Sequence, residues 1–159
     1  MKPILQALLL ADRIYQDAAT RKYVIAGTFN NVFFKRDGAK PQKIVEGDQA
    51  RTIVLGGVQA GSPSAYISLT EIRGAVDCIL RFVSLLSDEA VFECSFKIEC
   101  DDPLGTVELT LPLPSLPHKE GIYALELLCN HEPIGSHRVT IKEMPPEGKD
   151  IADDDHDDR

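Results

Sequence analysis

Residues 74–107 contain the most regular alternation of apolar and polar side chains in the chain. Within this stretch, apolar or thiol side chains occupy every second position: Phe92, Cys94, Phe96, Ile98 and Cys100. The positions between them are polar: Glu93, Ser95, Lys97 and Glu99. A period of two is typical of a β-strand with one buried and one solvated face. Residues 74–86 show a similar pattern before Ser87-Asp88-Glu89, so we predict a hairpin in the middle of an antiparallel β-sandwich.

The rest of the chain contains further short segments with strand-like composition. They lie at residues 4–15, 23–34, 51–58, 65–72, 104–111, 121–129 and 133–143. A helix is the alternative for residues 4–15, because their leucines also recur at helical spacing. Gly27 and the Asn30-Asn31 pair are expected bulge or bend positions. Residues 35–50 lack apolar periodicity and are predicted to form a long exposed loop.

About eight strands at short spacing, with hardly a helix, favour an all-β sandwich over a fold of alternating strands and helices. Asn130-His131 is expected to be a tight turn between the last two strands. Tyr123 follows the proline-rich residues 111–117. Its position is similar to the tyrosine corner of immunoglobulin-like sandwiches, in which the hydroxyl anchors the preceding loop. A tyrosine on a strand is more often simply packed, so packing is the favoured interpretation of Tyr123 and the loop anchor is the alternative. The predicted topology is immunoglobulin-like or related.

The charge is uneven along the chain and divides it into a body and a tail. The net charge is −8, of which residues 147–159 contribute −5. We predict one sandwich domain at residues 1–144 and a disordered acidic tail at residues 145–159. Because the body carries no lysine and arginine stripe, nucleic acid is not an expected partner.

The first residues resemble a signal peptide only superficially. Gln6 interrupts the apolar run, and Asp12-Arg13 follow where small residues would mark a cleavage site. No apolar segment approaches the roughly 20 residues needed to span a bilayer. A cytoplasmic protein without a membrane partner is therefore expected.

The four cysteines, Cys78, Cys94, Cys100 and Cys129, have no metal-binding spacing. All four are predicted to point inward as buried thiols, in preference to a disulfide or a metal site. If Asp88 and Glu89 centre the hairpin, Cys78 and Cys100 lie nearly opposite each other.

Four segments together resemble a bacterial family known as a domain of unknown function. They are LQALLLAD at residues 5–12, DAATRKYVIAGTF at 17–29, DDPLGTV at 101–107 and GIYALELLCNHEPIGS at 121–136. The resemblance extends to about Glu143 and implies a β-sandwich from a bacterial source. Members of the family carry Thr-Gly-Lys where this chain has Thr20-Arg21-Lys22. The resemblance implies no activity, cofactor or binding residue.

Several polar groups are candidates for chemistry, and each has a simpler interpretation. The tail residues Asp153, Asp154, Asp155, His156, Asp157 and Asp158 could bind a divalent cation, but a solvated tail is favoured. His118, His131 and His137 have no spacing that brings them to one point. The available serines, Ser62, Ser64, Ser68 and Ser115, lack a nucleophile motif.

The glycines and acidic residues fit structural roles as well. Gly56-Gly57 and Gly61 lack the Gly-Lys-Ser/Thr sequence of a phosphate-binding loop. Carboxylates such as Asp77 are plentiful, and the pair Asp101-Asp102 precedes a proline, which is typical of a turn. Asp12 interrupts an apolar strand and is expected at an edge, in a hydrogen bond to backbone, or in a functional site, in that order.

We therefore assign no catalytic, cofactor-binding or metal-ligating residue, and we predict neither an enzyme nor a cofactor. The expected function is that of a non-catalytic module that binds another protein or itself. A small-ligand or carbohydrate-binding sandwich is the alternative, with residues 35–50 and 111–119 forming the mouth. A hydrolase with an unfamiliar site is the third hypothesis.

Overall fold

The structure is a computed structural model that describes residues 2–35, 42–46, 49–53 and 62–145, with side chains described for the first and last of these ranges. Its strands are β1 Ile4–Gln16, β2 Tyr23–Thr28, β3 Asn31–Phe34, β4 Gln42–Glu46, β5 Gln49–Ile53, β6 Ser64–Thr70, β7 Gly74–Ser84, β8 Ala90–Cys100, β9 Thr106–Pro112, β10 Gly121–Cys129 and β11 Glu132–Glu143. The helix considered for residues 4–15 is wrong, because these residues form β1. None of the described residues belongs to a helix that could cross a membrane.

Two sheets make up the body of the protein. The four-stranded sheet has the order β2-β1-β6-β9, and the five-stranded sheet has the order β3-β11-β10-β7-β8. All pairs within them are antiparallel except β11 with β3, which is parallel. β2 leads into β3 through two residues, and β8 leads into β9 through residues 101–105. The edges β2 and β3 therefore lie on one side of the molecule, and the edges β8 and β9 lie on the other.

Alternate residues of both sheets form one apolar layer between them. The four-stranded sheet contributes Leu8, Leu10, Ala65, Ile67 and Leu69, and the five-stranded sheet contributes Leu80, Phe82, Leu125, Leu127, Val139 and Ile141. Burial of side chains of this size stabilises the folded state by about 1.5 to 3 kcal/mol each. The shared layer confirms the prediction of an all-β protein with two packed sheets.

Residues 35–50 are not wholly irregular, in contrast to the predicted loop. β4 and β5 pair antiparallel from Gln42↔Ile53 to Glu46↔Gln49. The prediction missed them because their polar and charged residues hide the alternation on which it was based. The predicted strand at residues 51–58 begins earlier, at Gln49, and its second half lies outside the described residues. The same holds for Gly56-Gly57, Gly61 and nearly all of the acidic tail at residues 145–159.

The hairpin of β7 and β8 is confirmed, but its place in the sheet is not the predicted one. β8 is the outermost strand of its sheet, rather than a strand in the middle. The register pairs Cys78 with Phe96 and Gly74 with Cys100, so Cys78 and Cys100 do not face each other. The cause is a turn centred near residue 87, followed by a β-bulge between Phe82 and Val83.

The first hairpin is shaped by two residues with positive φ. Asp17 accepts hydrogen bonds from the Thr20 backbone N–H at 2.6 Å and the Thr20 hydroxyl at 2.9 Å, which lower the pKa of Asp17. Arg21 follows with φ of 61°. In β2, Gly27 has φ of 71°, and a Cβ there would lie 2.5 Å from Asp12 Oδ2. Gly27 is thus the predicted bend, and its left-handed φ favours glycine over residues with a side chain.

Asp12 lies just beyond Ala11, which is the last residue of β1 to pair with β6. From this point β1 pairs with β2 alone, so Asp12 stands at a free edge and its side chain is exposed. The first interpretation made from the sequence, an edge position, is confirmed.

The last hairpin matches its prediction. Asn130 and His131 connect β10 and β11 with φ of 49° and 67°. Two consecutive positive φ values define the type I′ turn, whose twist suits a two-residue hairpin. Within this strand pair, Gly135 of β11 leaves room for Leu5 of β1, because a Cβ at residue 135 would overlap the leucine side chain.

Tyr123 anchors the segment that crosses between the sheets before β10. Its hydroxyl donates to the Lys119 carbonyl at 3.0 Å, and its ring stacks on Phe82 with centroids 5.2 Å apart. Only 3% of the residue is exposed, and burial raises the pKa of Tyr123. Tyr123 is therefore not simply packed, as the sequence favoured, but also anchors the loop through its hydroxyl.

We predict that Tyr123→Phe lowers the free energy of unfolding by about 1 kcal/mol, because it removes this hydrogen bond and keeps the stacked ring. Urea denaturation followed by circular dichroism measures the change. Tyr15→Phe is the matched control, since Tyr15 is 56% exposed. Equal stability of the two variants would show that the Tyr123 hydroxyl does not anchor the loop.

Arg21→Gly is expected to leave stability unchanged or to raise it by up to about 1 kcal/mol. Left-handed φ costs an L-residue roughly 1 to 2 kcal/mol, whereas the added freedom of glycine in the unfolded chain costs about 0.5 to 1 kcal/mol. Lys22→Gly, at a neighbouring position without positive φ, should lower stability. Urea midpoints that fall equally for both variants would contradict this explanation.

Candidate functional site

Among the described residues, the side of the sandwich formed by β8 and β9 is open. Both strands leave side chains that point toward the core only partly covered: Phe92, Phe96, Cys100, Val107, Leu109 and Leu111. Cys94, also on the inward side of β8, is exposed. Phe92 continues the aromatic packing outward, since its ring stacks on Phe82 with centroids 5.3 Å apart. The apolar layer therefore reaches the edge of the molecule without being closed there.

The direction of the backbone groups in β7 follows from its contacts with the next strand. The Asn130 N–H donates to the Asp77 carbonyl at 2.8 Å, and the Asp77 N–H donates to Asn130 Oδ1 at 3.2 Å. The backbone groups of Asp77 thus point toward β10. Because these groups alternate in direction along a strand, those of Cys78 point toward β8, where Cys78 pairs with Phe96.

The same alternation defines the outer side of β8. If Phe96 directs its N–H and C=O toward β7, then Ser95 and Lys97 direct theirs the opposite way. Glu93 follows the same period. Within the described residues no strand pairs with β8 on that side. β8 therefore presents a row of main-chain donors and acceptors along an eleven-residue edge.

The solvent-facing surface beside this edge carries charges of alternating sign. Arg81 Nε donates to Glu126 Oε2 at 2.8 Å, across β7 and β10. Arg81 also pairs in register with Glu93 of β8. Four residues further along each strand, Lys97 Nζ of β8 lies 3.6 Å from Asp77 Oδ1 of β7. On β8, the outermost strand, each row of charges therefore ends in one side chain: the acidic Glu93 in one row and the basic Lys97 in the other.

A second polar cluster lies under the end of the first hairpin. The Tyr66 hydroxyl donates to Glu108 Oε1, and the Tyr23 ring meets the Tyr66 ring edge-on at 5.5 Å. Burial, followed by the Glu108 contact, raises the pKa of Tyr66 to about 12. Tyr23 also donates to the Glu108 carbonyl at 3.4 Å. The cluster joins β2, β6 and β9 and covers the outward face of β6, which is a structural role.

The three candidate histidines lie in different places. His137 belongs to β11, and its Nε2 is 3.1 Å from the carbonyl oxygen of Phe29, which lies between β2 and β3. The His118 ring stacks on Phe34, and His131 occupies the β10–β11 turn. Within the described residues, no three His, Cys, Asp or Glu side chains are grouped closely enough to hold a metal ion.

The serine and aspartate candidates have local partners. Ser62 and Ser115 hydroxyls are 3.5 Å apart, and Ser68 is buried beneath the tyrosine cluster. Asp102 accepts from the Leu104 N–H at 3.0 Å, which confirms its role as a turn former. These contacts link neighbouring strands and loops.

The cysteines divide into two classes, in contrast to the prediction that all four are buried. Cys78 and Cys129 are buried and directly paired, with sulfurs 3.5 Å apart. The hydrogen bond with Cys129 and burial raise the pKa of Cys78. Cys100 is half-buried, and Cys94 is exposed because β8 has no outer neighbour in the described structure. Alternation in the sequence identified the face of Cys94 but not its exposure.

No family model matches the chain, and no curated protein matches it. The bacterial family resemblance therefore stays a prediction, as do the absence of enzymatic activity and the ligand-binding mouth at residues 35–50 and 111–119.

Cys94 is predicted to be the first thiol to react with 5,5′-dithiobis(2-nitrobenzoate) in dilute solution. The reaction is best followed at alkaline pH, because partial burial raises the pKa of Cys94 and the thiolate is the reactive form. Cys94→Ser should remove the fast phase, and Cys78→Ser should leave it. A fast phase that survives in Cys94→Ser would contradict the exposure of β8.

Proposed function

We propose that this chain is a non-catalytic protein-binding module of immunoglobulin-like topology, in which β8 accepts a strand from its partner. The observation that carries the proposal is that, within the described residues, the outer main-chain edge of β8 has no neighbouring strand and the apolar layer beside it is not closed. Addition of a strand satisfies the edge N–H and C=O groups and covers the inward side chains in one step. A bacterial, cytoplasmic origin is part of the same proposal and rests on the sequence alone.

The strand order supports the immunoglobulin-like topology. β1, β6 and β9 form one sheet, in which β6 and β9 are antiparallel neighbours, and β3 runs parallel to β11 at the edge of the other. The chain crosses from β9 to β10, and Tyr123 near the start of β10 anchors the crossing through Lys119. These are features of immunoglobulin-like sandwiches, including the position of the tyrosine corner.

The family resemblance gains support from Arg21. Its φ of 61° is a conformation that glycine adopts more easily than arginine. Glycine in the resembling family at this position fits a turn of the same shape. The support concerns the fold and adds nothing about activity.

The edge can be tested with a photo-crosslinking amino acid at Glu99, which is exposed on β8. Crosslinking in a bacterial lysate should yield adducts with a second protein molecule, either a different protein or another copy of this chain. Ser95→Pro should abolish them, because it removes an outward N–H that β7 does not use.

Ser115→Pro is the matched control for the proline, since Ser115 lies outside the strands in a proline-rich segment. Adducts should persist in this variant. The proposal is wrong if the lysate yields no adduct, or if adducts form equally in Ser95→Pro; circular dichroism of both variants establishes that they are folded.

A further inference from the structure

We propose that the strand accepted by β8 is β8 of a second copy, paired antiparallel about a two-fold axis that passes midway between Ser95 and the partner's Ser95. The inference rests on the proposed function, because it names the partner of the same edge. Its basis is that a single register satisfies three properties of β8 together: its length, the direction of its backbone groups and the order of its charges.

Ser95 is the central residue of β8, which extends from Ala90 to Cys100. An antiparallel pair centred on Ser95 therefore uses the whole strand. In this register Glu93 lies opposite the partner's Lys97, and Ser95 lies opposite the partner's Ser95. These are the residues whose N–H and C=O point outward, so each opposing pair can exchange two main-chain hydrogen bonds.

The two-fold axis makes the charge complementarity occur twice, because Lys97 also lies opposite the partner's Glu93. Within each copy, Glu93 continues the row from Glu126 through Arg81, and Lys97 continues from Asp77. Pairing joins the two rows. The signs then alternate across the interface from Glu126, Arg81 and Glu93 to the partner's Lys97 and Asp77.

The inward side of β8 is apolar in the same register. Phe92 meets the partner's Ile98, and Cys94 meets the partner's Phe96. Phe92 and Phe96 are half-buried and Cys94 is exposed in the single chain, so pairing covers them. The two apolar layers become continuous across the edge.

Other symmetric registers lack this agreement. A centre at Phe96 sets Glu93 opposite the partner's Glu99, and centres at Glu93 or Lys97 set identical charges against each other. A centre at Cys94 leaves Glu99 and Cys100 unpaired and places Lys97 opposite Val91. Charges on an edge strand often prevent association. Here their order excludes the shifted registers and favours the one that uses the full strand.

Charge reversal gives the sharpest test. Glu93→Lys places two lysines opposite each other at both ends of the pair, and Lys97→Glu places two glutamates there. Each variant alone should dissociate at a concentration about tenfold or more above that of the unchanged chain. An equimolar mixture should restore dimers, because each lysine then faces a glutamate. Sedimentation velocity over a concentration series measures both effects.

Glu132→Lys and Lys142→Glu on β11 are the matched controls, because both residues are exposed and β11 is separated from β8 by two strands. These variants should dimerise like the unchanged chain. A strict monomer at all concentrations, or a mixture of the two β8 variants that stays monomeric, overturns the inference. If such a monomer still gives Ser95-dependent adducts in the lysate, the edge binds a different protein and the proposed function stands.

A disulfide tests the register itself. Ser95→Cys in a Cys94→Ser background sets two thiols directly opposite each other, and oxidised glutathione should link them into a covalent dimer. In the chain with native Cys94 and Ser95, Cys94 faces the partner's Phe96 and should form little dimer. Efficient linkage through native Cys94 instead would place the axis at residue 94 and overturn the register.

Discussion

Main-chain hydrogen bonding between strands is the interaction on which this protein depends. A helix satisfies its backbone groups internally, but in the described residues every regular element is a strand and must find its partners in a neighbour. The apolar layer built by residues such as Phe82 and Leu125 forms only after that pairing has set the two faces of each sheet. The outermost strands are consequently the places where the fold leaves binding capacity unused.

The free edges differ in how they are covered. β3 is only four residues long, and the ring of its last residue, Phe34, is stacked against the His118 ring. The first hairpin directs Tyr23 onto Tyr66 and Glu108, so its end lies against the outer face of β6 and β9. β8 is long, regular and exposed on both its main-chain edge and much of its inward side. Function is proposed there because the other edge strands of the two sheets, β2, β3 and β9, are only four to seven residues long.

The sequence predicted those features that depend on neighbours in the chain. The alternation around Phe96 identified a strand and its two faces, and the Asn130-His131 pair identified a tight turn. The position of Tyr123 suggested a loop anchor only as the alternative to simple packing. Alternation carries no information about which strand is outermost, so β8 was placed in the middle and Cys94 was expected to be buried. The bulge beside Phe82 shifts the register by one residue, which no local pattern reveals. The candidate edge was missed for the same reason. One signal was visible in the sequence, because Glu93 and Lys97 carry opposite charges at equal distances from the central residue of the strand.

Amide hydrogen exchange in β8, measured at low and high protein concentration, tests the central claim most directly. The account predicts that the N–H groups of Cys94 and Phe96, which face β7, are protected at both concentrations. Those of Glu93, Ser95 and Lys97 should exchange rapidly in dilute solution and become protected as the concentration rises. Rapid exchange of these three amides at every concentration would contradict the pairing of two copies through this edge.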